Sequence, residues 1–129
     1  MVIAERVGRP LSELKTLGTI RGFTPWPYLD AIKAGTIALE ESDDLPGLVQ
    51  KALLQRLDGI FINQAIADYH VTHELKKPGA LVLDKGLPNN DVQYLLSTRK
   101  HPDVIKQFDA FLAGETALIA SLRKKYNLD

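Results

Sequence analysis

The sequence has no cysteine, which excludes disulfides, cysteine-based zinc sites and thiol catalysis and leaves the redox compartment open. It has no excess of charge: 16 Lys and Arg balance 16 Asp and Glu. A nucleic-acid or membrane-surface binder needs a basic face, so neither partner is expected. No apolar run approaches the roughly 20 residues that span a bilayer, so no membrane insertion is expected. The opening Met1-Val2-Ile3-Ala4-Glu5-Arg6 lacks the basic start and apolar core of a secretory signal. Catalytic signatures are also lacking. There is no Ser/His/Asp series with a nucleophile elbow, no phosphate-cradling glycine loop and no paired-carboxylate pattern, and Gly18-Thr19-Ile20-Arg21-Gly22 is not a dinucleotide fingerprint. No enzymatic activity and no cofactor are expected.

What is present is an ordinary globular balance. The chain has 129 residues, 45% apolar and 25% charged, enough for one domain with a real core. Its organising stretch is Leu17-Gly18-Thr19-Ile20-Arg21-Gly22-Phe23-Thr24-Pro25. Thr19-Ile20-Arg21 reads as a strand, Gly22 as a sharp turn, Thr24 as an N-cap and Pro25 as a first helical residue.

The same strand-turn-helix unit then recurs. Residues 2–4 read as a short strand, 11–14 as one helical turn, and 25–34 as a first helix ending at Gly35. Residues 36–40 read as a strand, followed by a helix over 45–56 with Leu48, Val49, Ala52 and Leu53 on one face. Ile60-Phe61-Ile62 is consecutively apolar, as in a strand covered on both sides. Asn63 can cap a helix over 64–75, which Pro78-Gly79 stops. Strands follow at 80–83 and 92–96. Pro102 opens a helix that Gly114 ends, and Thr116 opens the last. Alternation of this kind predicts an α/β fold, a mostly parallel sheet with helices on both faces.

Several stretches, taken in order, resemble one family. Leu11-Ser12-Glu13-Leu14-Lys15-Thr16-Leu17-Gly18 with Ile20-Arg21-Gly22 is similar to the start of the second lobe of bacterial periplasmic solute-binding proteins, which serve ABC transporters. Leu57-Asp58-Gly59-Ile60-Phe61-Ile62-Asn63 resembles a strand of that lobe. Tyr94-Leu95-Leu96-Ser97 with Lys100-His101-Pro102-Asp103-Val104 resembles the run into the closing helices, and residues 114–126 resemble the family's ending. The resemblance implies a three-layer αβα sandwich, the periplasmic-binding-protein-like lobe over residues 11–84. It implies two side-by-side hinge strands, within 1–10 and 92–97, and two C-terminal helices.

The first lobe of such a protein is missing, so the chain is expected to be an excised piece or a natural single-lobe relative. The intact protein is expected in the periplasm. The implied partners are a small-molecule solute, the missing first lobe and a transporter permease. An alternative is a sensor or effector domain of the same fold in a signalling protein; a further rival is an enzyme of related two-lobe architecture. The face that a first lobe would cover is expected to drive a homodimer.

By the same resemblance, the turn after the lobe's first strand holds a ligand's anionic group, which names Arg21, Gly22, Phe23 and Thr24. Free N–H groups and the helix dipole favour an anion there. Pro25 and Pro27 lack N–H, so capture should be weaker than in a standard amino-acid binder. Asn63 stands where amino-acid binders place an Asp for the ligand's ammonium, and an Asn supplies no charge; an N-cap is its other reading. Ser42 and Asp43 end the second strand, where they line the cleft or serve as caps. Trp26 stacks on a ligand or covers the face left for lobe one. His70, His73 and Glu74 share neither usual zinc-helix spacing, and no metal site is expected.

Overall fold

The computed structural model describes residues 1–90, 95–126 and 128. The chain folds as two compact units, Met1–Asn90 and Asp91–Asp129.

The first unit is mixed α/β. Its elements are β1 (Val2–Ile3), β2 (Thr16–Ile20), α1 (Leu29–Lys33), β3 (Ala38–Ser42), α2 (Leu45–Leu53), β4 (Gly59–Ile60), α3 (Gln64–Tyr69) and β5 (Leu81–Val82). Single 3₁₀ turns occupy Ala4–Arg6, Leu11–Glu13 and Trp26–Tyr28, and α3 runs on into a π turn, His70–Glu74.

Three strands form a parallel sheet in the order β3-β2-β4, with Ile20 opposite Ser42 and Gly18 opposite Ile60. The expected mostly parallel sheet is therefore small. The strand expected at 80–83 does not join it: β5 pairs antiparallel with β1 in a separate ribbon, Val2 opposite Val82. The ribbon is tied to the sheet at Met1, whose amino group donates to Ile60 O at 2.6 Å while Ile60 N–H donates back to Met1 O at 2.8 Å. The partner expected for the first strand was the segment 92–97. Of that segment, residues 92–94 lie outside the described residues, and Leu95, Leu96 and Ser97 are irregular.

Alternation along β2 sorts the core. Leu17 packs with Leu14, Tyr28 and Ile37, while its neighbour Gly18 lies against Leu48, Leu57 and Ile60 of the larger cluster. Gly18 is a packing glycine. A Cβ there would stand 2.5 Å from Leu57 Cδ1 and 2.7 Å from Leu48 Cδ1. The strand expected at Thr19-Ile20-Arg21 starts earlier and ends sooner: Thr16, Leu17 and Gly18 belong to it, and Arg21 follows it.

Two other boundaries move for identifiable reasons. The helix expected over 25–34 is a 3₁₀ turn followed by a short α1. Pro25 and Pro27 remove two donors, and the Tyr28 N–H bonds to Pro25 O in the tighter three-residue pattern. Thr24 is not its cap: Pro25 holds that position, with no side-chain bond. The strand expected from Thr36 starts at Ala38, because the N–H groups of Thr36 and Ile37 still bond to Ala31 O and close α1. The helix expected over 45–56 forms but ends at Leu53. Asp44 caps α2, accepting from Gly47 N–H at 2.7 Å, and Leu48, Val49 and Ala52 are buried.

The second unit contains α4 (Pro102–Gly114) and α5 (Thr116–Tyr126), joined by Glu115, and neither helix has a buried residue. None of the described helices is long and apolar enough to cross a membrane.

Candidate functional site

Parallel pairing puts the carboxyl ends of β2, β3 and β4 at one edge of the sheet, the usual docking edge of an open α/β sheet. Backbone and side-chain bonds tie the three exits together. Arg21 N–H donates to Ser42 O at 2.9 Å, linking the exits of β2 and β3. The Thr19 hydroxyl donates to Phe61 O at 3.1 Å, linking β2 to the exit of β4. Tyr28 packs edge-on against Phe61, ring centroids 6.1 Å apart. The buried Tyr28 hydroxyl donates to Pro88 O at 2.8 Å; burial first, and the charge of Asp84 second, push its pKa up to about 12.

Seven residues were named from sequence, and the structure treats them differently. Gly22 takes a positive φ of 87°, so the sharp turn falls where expected. Arg21 is not an open cation. Its Nε donates to Asp43 Oδ1 at 2.9 Å, and its Nη1 lies 3.5 Å from Glu41 Oε2. The hydrogen bond to Asp43, then the charges of Asp43 and Glu41, raise its pKa further and keep it protonated. Glu41 also reaches the Gly22 N–H at 3.5 Å. Two carboxylates thus stand where an anionic ligand group would have to come.

Phe23 and Trp26 project at the same edge, 50% and 67% exposed, and Thr24 is exposed beside them. Ser42 is buried, and its hydroxyl has no hydrogen-bond partner among the described residues. It ends β3, as expected, and the cap of α2 is Asp44 instead. Asn63 caps α3 through Ile66 N–H at 3.2 Å. It lies at the exit of β4, across β2 from Ser42. The structure therefore gathers Arg21, Gly22 and Ser42 directly, sets Phe23, Thr24 and Trp26 along their rim, and leaves Asn63 to the far strand.

Sequence reasoning missed the Glu41–Arg21–Asp43 clamp, because only the strand register brings Glu41 beside Thr19 and Asp43 past Ser42. It also missed a second polar cluster at the opposite edge. There Asp58 accepts from Lys15 N–H and Thr16 N–H, both at 2.8 Å, and pairs with Arg6 at 2.8 Å. The space between Arg6, Glu13, Leu14 and Asp58 amounts to about 10 Å³, one water's worth, so this cluster is a staple rather than a ligand site. A third anchor is Asp84, buried, which accepts from Gly8 N–H at 2.7 Å and Gly86 N–H at 2.9 Å.

His70 and His73 do not act together. His70 is buried with Nδ1 2.7 Å from Glu74 Oε2, whereas the His73 ring lies against Tyr69, centroids 4.7 Å apart. Among the described residues, no group of three or more His, Asp or Glu could hold a metal ion. No protein-family model, curated protein or solved structure matches this chain.

Proposed function

We propose that this chain forms one wall of a small-solute-binding cleft: the ligand-binding lobe of a periplasmic solute-binding protein, of three-layer αβα type, that delivers its solute to an ABC-transporter permease. The observation that carries the reading is the convergence of the β2, β3 and β4 exits at one sheet edge. Arg21 N–H bonds Ser42 O there, and the rings of Phe23 and Trp26 stand exposed beside the junction. Solutes dock at such edges because loops leave the sheet there and expose backbone groups around a rigid frame.

The clamp on Arg21 decides the chemistry. With Glu41 and Asp43 around it, the edge carries one cation against two anions, so a lone anionic head group is a poor fit. The ring faces of Phe23 and Trp26 fit the apolar or cyclic part of a small solute. Contacts come from one wall only, and the expected dissociation constant is about 1 mM or weaker, roughly −4 kcal/mol.

Trp26 is the only tryptophan in the chain, so its fluorescence reports this edge without background. Titration with a panel of amino acids, sugars and cyclic polyols should give a saturable blue shift in the millimolar range for one class. Phe23→Ala should weaken it severalfold. Silence across the panel would remove the ledge as a binding surface, and submicromolar binding would show that a second wall is not needed.

A further inference from the structure

We infer that the second unit is a self-association element: α4 and α5 of one copy pack antiparallel against α5 and α4 of a second copy. The observation behind it is independent of the solute site. Across α4 and α5 no described side chain is buried. Yet the apolar positions keep a fixed spacing. Val104, Phe108, Phe111, Leu118 and Leu122 recur at intervals of three, four or seven, the a and d seam of a heptad. Ile105, Leu112, Ile119 and Tyr126 fall seven apart and widen that seam on one side. A solvated helix has no use for such a stripe; a helix that packs against another helix needs it.

Glu115 N–H donates to Phe111 O at 2.9 Å, and Ile119 N–H donates to Glu115 O at 3.0 Å. Between these two bonds Glu115 leaves the helical region, with φ −106° and ψ 38°, so the seam is carried by two helices, Val104, Phe108 and Phe111 on α4 and Leu118 and Leu122 on α5, with Glu115 and Lys125 at its polar positions. Polar residues at a seam position fix register.

Two quantities identify the occupant as a second copy. The first is area. Val104, Phe108, Phe111, Leu118, Leu122 and Tyr126 are each 40–52% exposed. At 150–250 Å² for a whole aromatic side chain and somewhat less for an aliphatic one, that is roughly 500–600 Å² per copy. A pair would then bury more than about 1,000 Å², the threshold for a stable interface. The second is charge. Helix α4 carries Asp103 and Asp109 against one Lys106, while α5 ends on Arg123-Lys124-Lys125. Antiparallel pairing sets the acidic start of one copy beside the basic end of the other. Parallel pairing would set like against like. The sequence is thus complementary to itself in one orientation.

The test is sedimentation equilibrium of the full chain from micromolar to millimolar concentration. The expected result is a monomer–dimer equilibrium towards twice 14.3 kDa. Phe111→Asp should weaken it by about tenfold or more, as for a buried aromatic anchor. Because Phe111 is exposed in one copy, far-UV circular dichroism should show the first unit intact. Lys124→Glu with Lys125→Glu should weaken the dimer, and adding Asp103→Lys with Asp109→Lys should restore it. A chain that stays monomeric throughout overturns the proposal, as does a dimer indifferent to Phe111→Asp. Charge reversal that tightens the dimer overturns the antiparallel arrangement.

Discussion

Asp58 shows how much one side chain can hold. Its burial alone would raise the pKa, but the N–H donors of Thr16 and Lys15, the Thr16 hydroxyl and the Arg6 charge outweigh it and hold the carboxyl below its usual range. Because the folded value is depressed, the stabilisation is complete above the ordinary carboxylate pKa of about 4 and is lost as pH falls through the lower folded value. Asp58→Asn should cost about 1–3 kcal/mol at pH 7, since two backbone donors lose a charged acceptor. Urea unfolding at pH 7 and pH 3 should show this penalty shrinking in acid; an equal penalty at both would place the effect in packing. Nothing in the sequence marks Asp58 out as an acceptor for distant backbone donors. Its partners, Lys15 and Thr16, are more than forty residues away, so only the packed sheet brings them together.

Helix ends carry the argument at the scale of elements. Both α1 and α2 close in the same way, with paired reverse bonds: Gly35 N–H to Ile32 O and Thr36 N–H to Ala31 O in the first, Gln55 N–H to Ala52 O and Arg56 N–H to Lys51 O in the second. Each needs a left-handed residue at the turn. In α1 that residue is Gly35, but in α2 it is Gln55, with φ 55°. A residue with a Cβ is strained there by about 1–2 kcal/mol. Gln55→Gly should therefore stabilise the chain by about 1 kcal/mol, less what glycine adds to the entropy of the unfolded chain. A thermal melt several degrees higher would bear this out, and an unchanged or lower one would count against it. The sequence pattern found the Gly35 stop for the same reason that it ran α2 on to residue 56: it reads glycine, not the hydrogen bonds that force a non-glycine into the same shape. The Asn63 cap was legible because a cap is a local bond, three residues long.

The chain as a whole divides into a unit with a core and a unit without one. Leu48, Val49, Ile60 and Val71 are almost fully enclosed in Met1–Asn90, and no described residue of α4 or α5 is buried. Stability within one chain need not be uniform, and hydrogen exchange reads it segment by segment. Amides of α2 and β2 should exchange slowly at any protein concentration. Amides over 102–126 should exchange fast in dilute solution and slow as the concentration rises, if self-association supplies the missing core. Slow exchange of that segment at nanomolar concentration would show that a single copy already protects it.

The sequence alone determined what depends on neighbours in the chain. The absence of cysteine, the balanced charge, the order of strands and helices from β1 to β5, the Asn63 cap and the Gly22 turn are all local or compositional. Tertiary structure decided what depends on distant partners. It paired β5 with β1 instead of adding it to the parallel sheet, drew Thr16, Leu17 and Gly18 into β2, and closed Glu41 and Asp43 around Arg21. The physical reason is the same in each case. A cap or a turn is satisfied within a few residues, whereas the register of a strand is chosen by whichever pairing buries the most apolar surface, and that choice then fixes which charges meet.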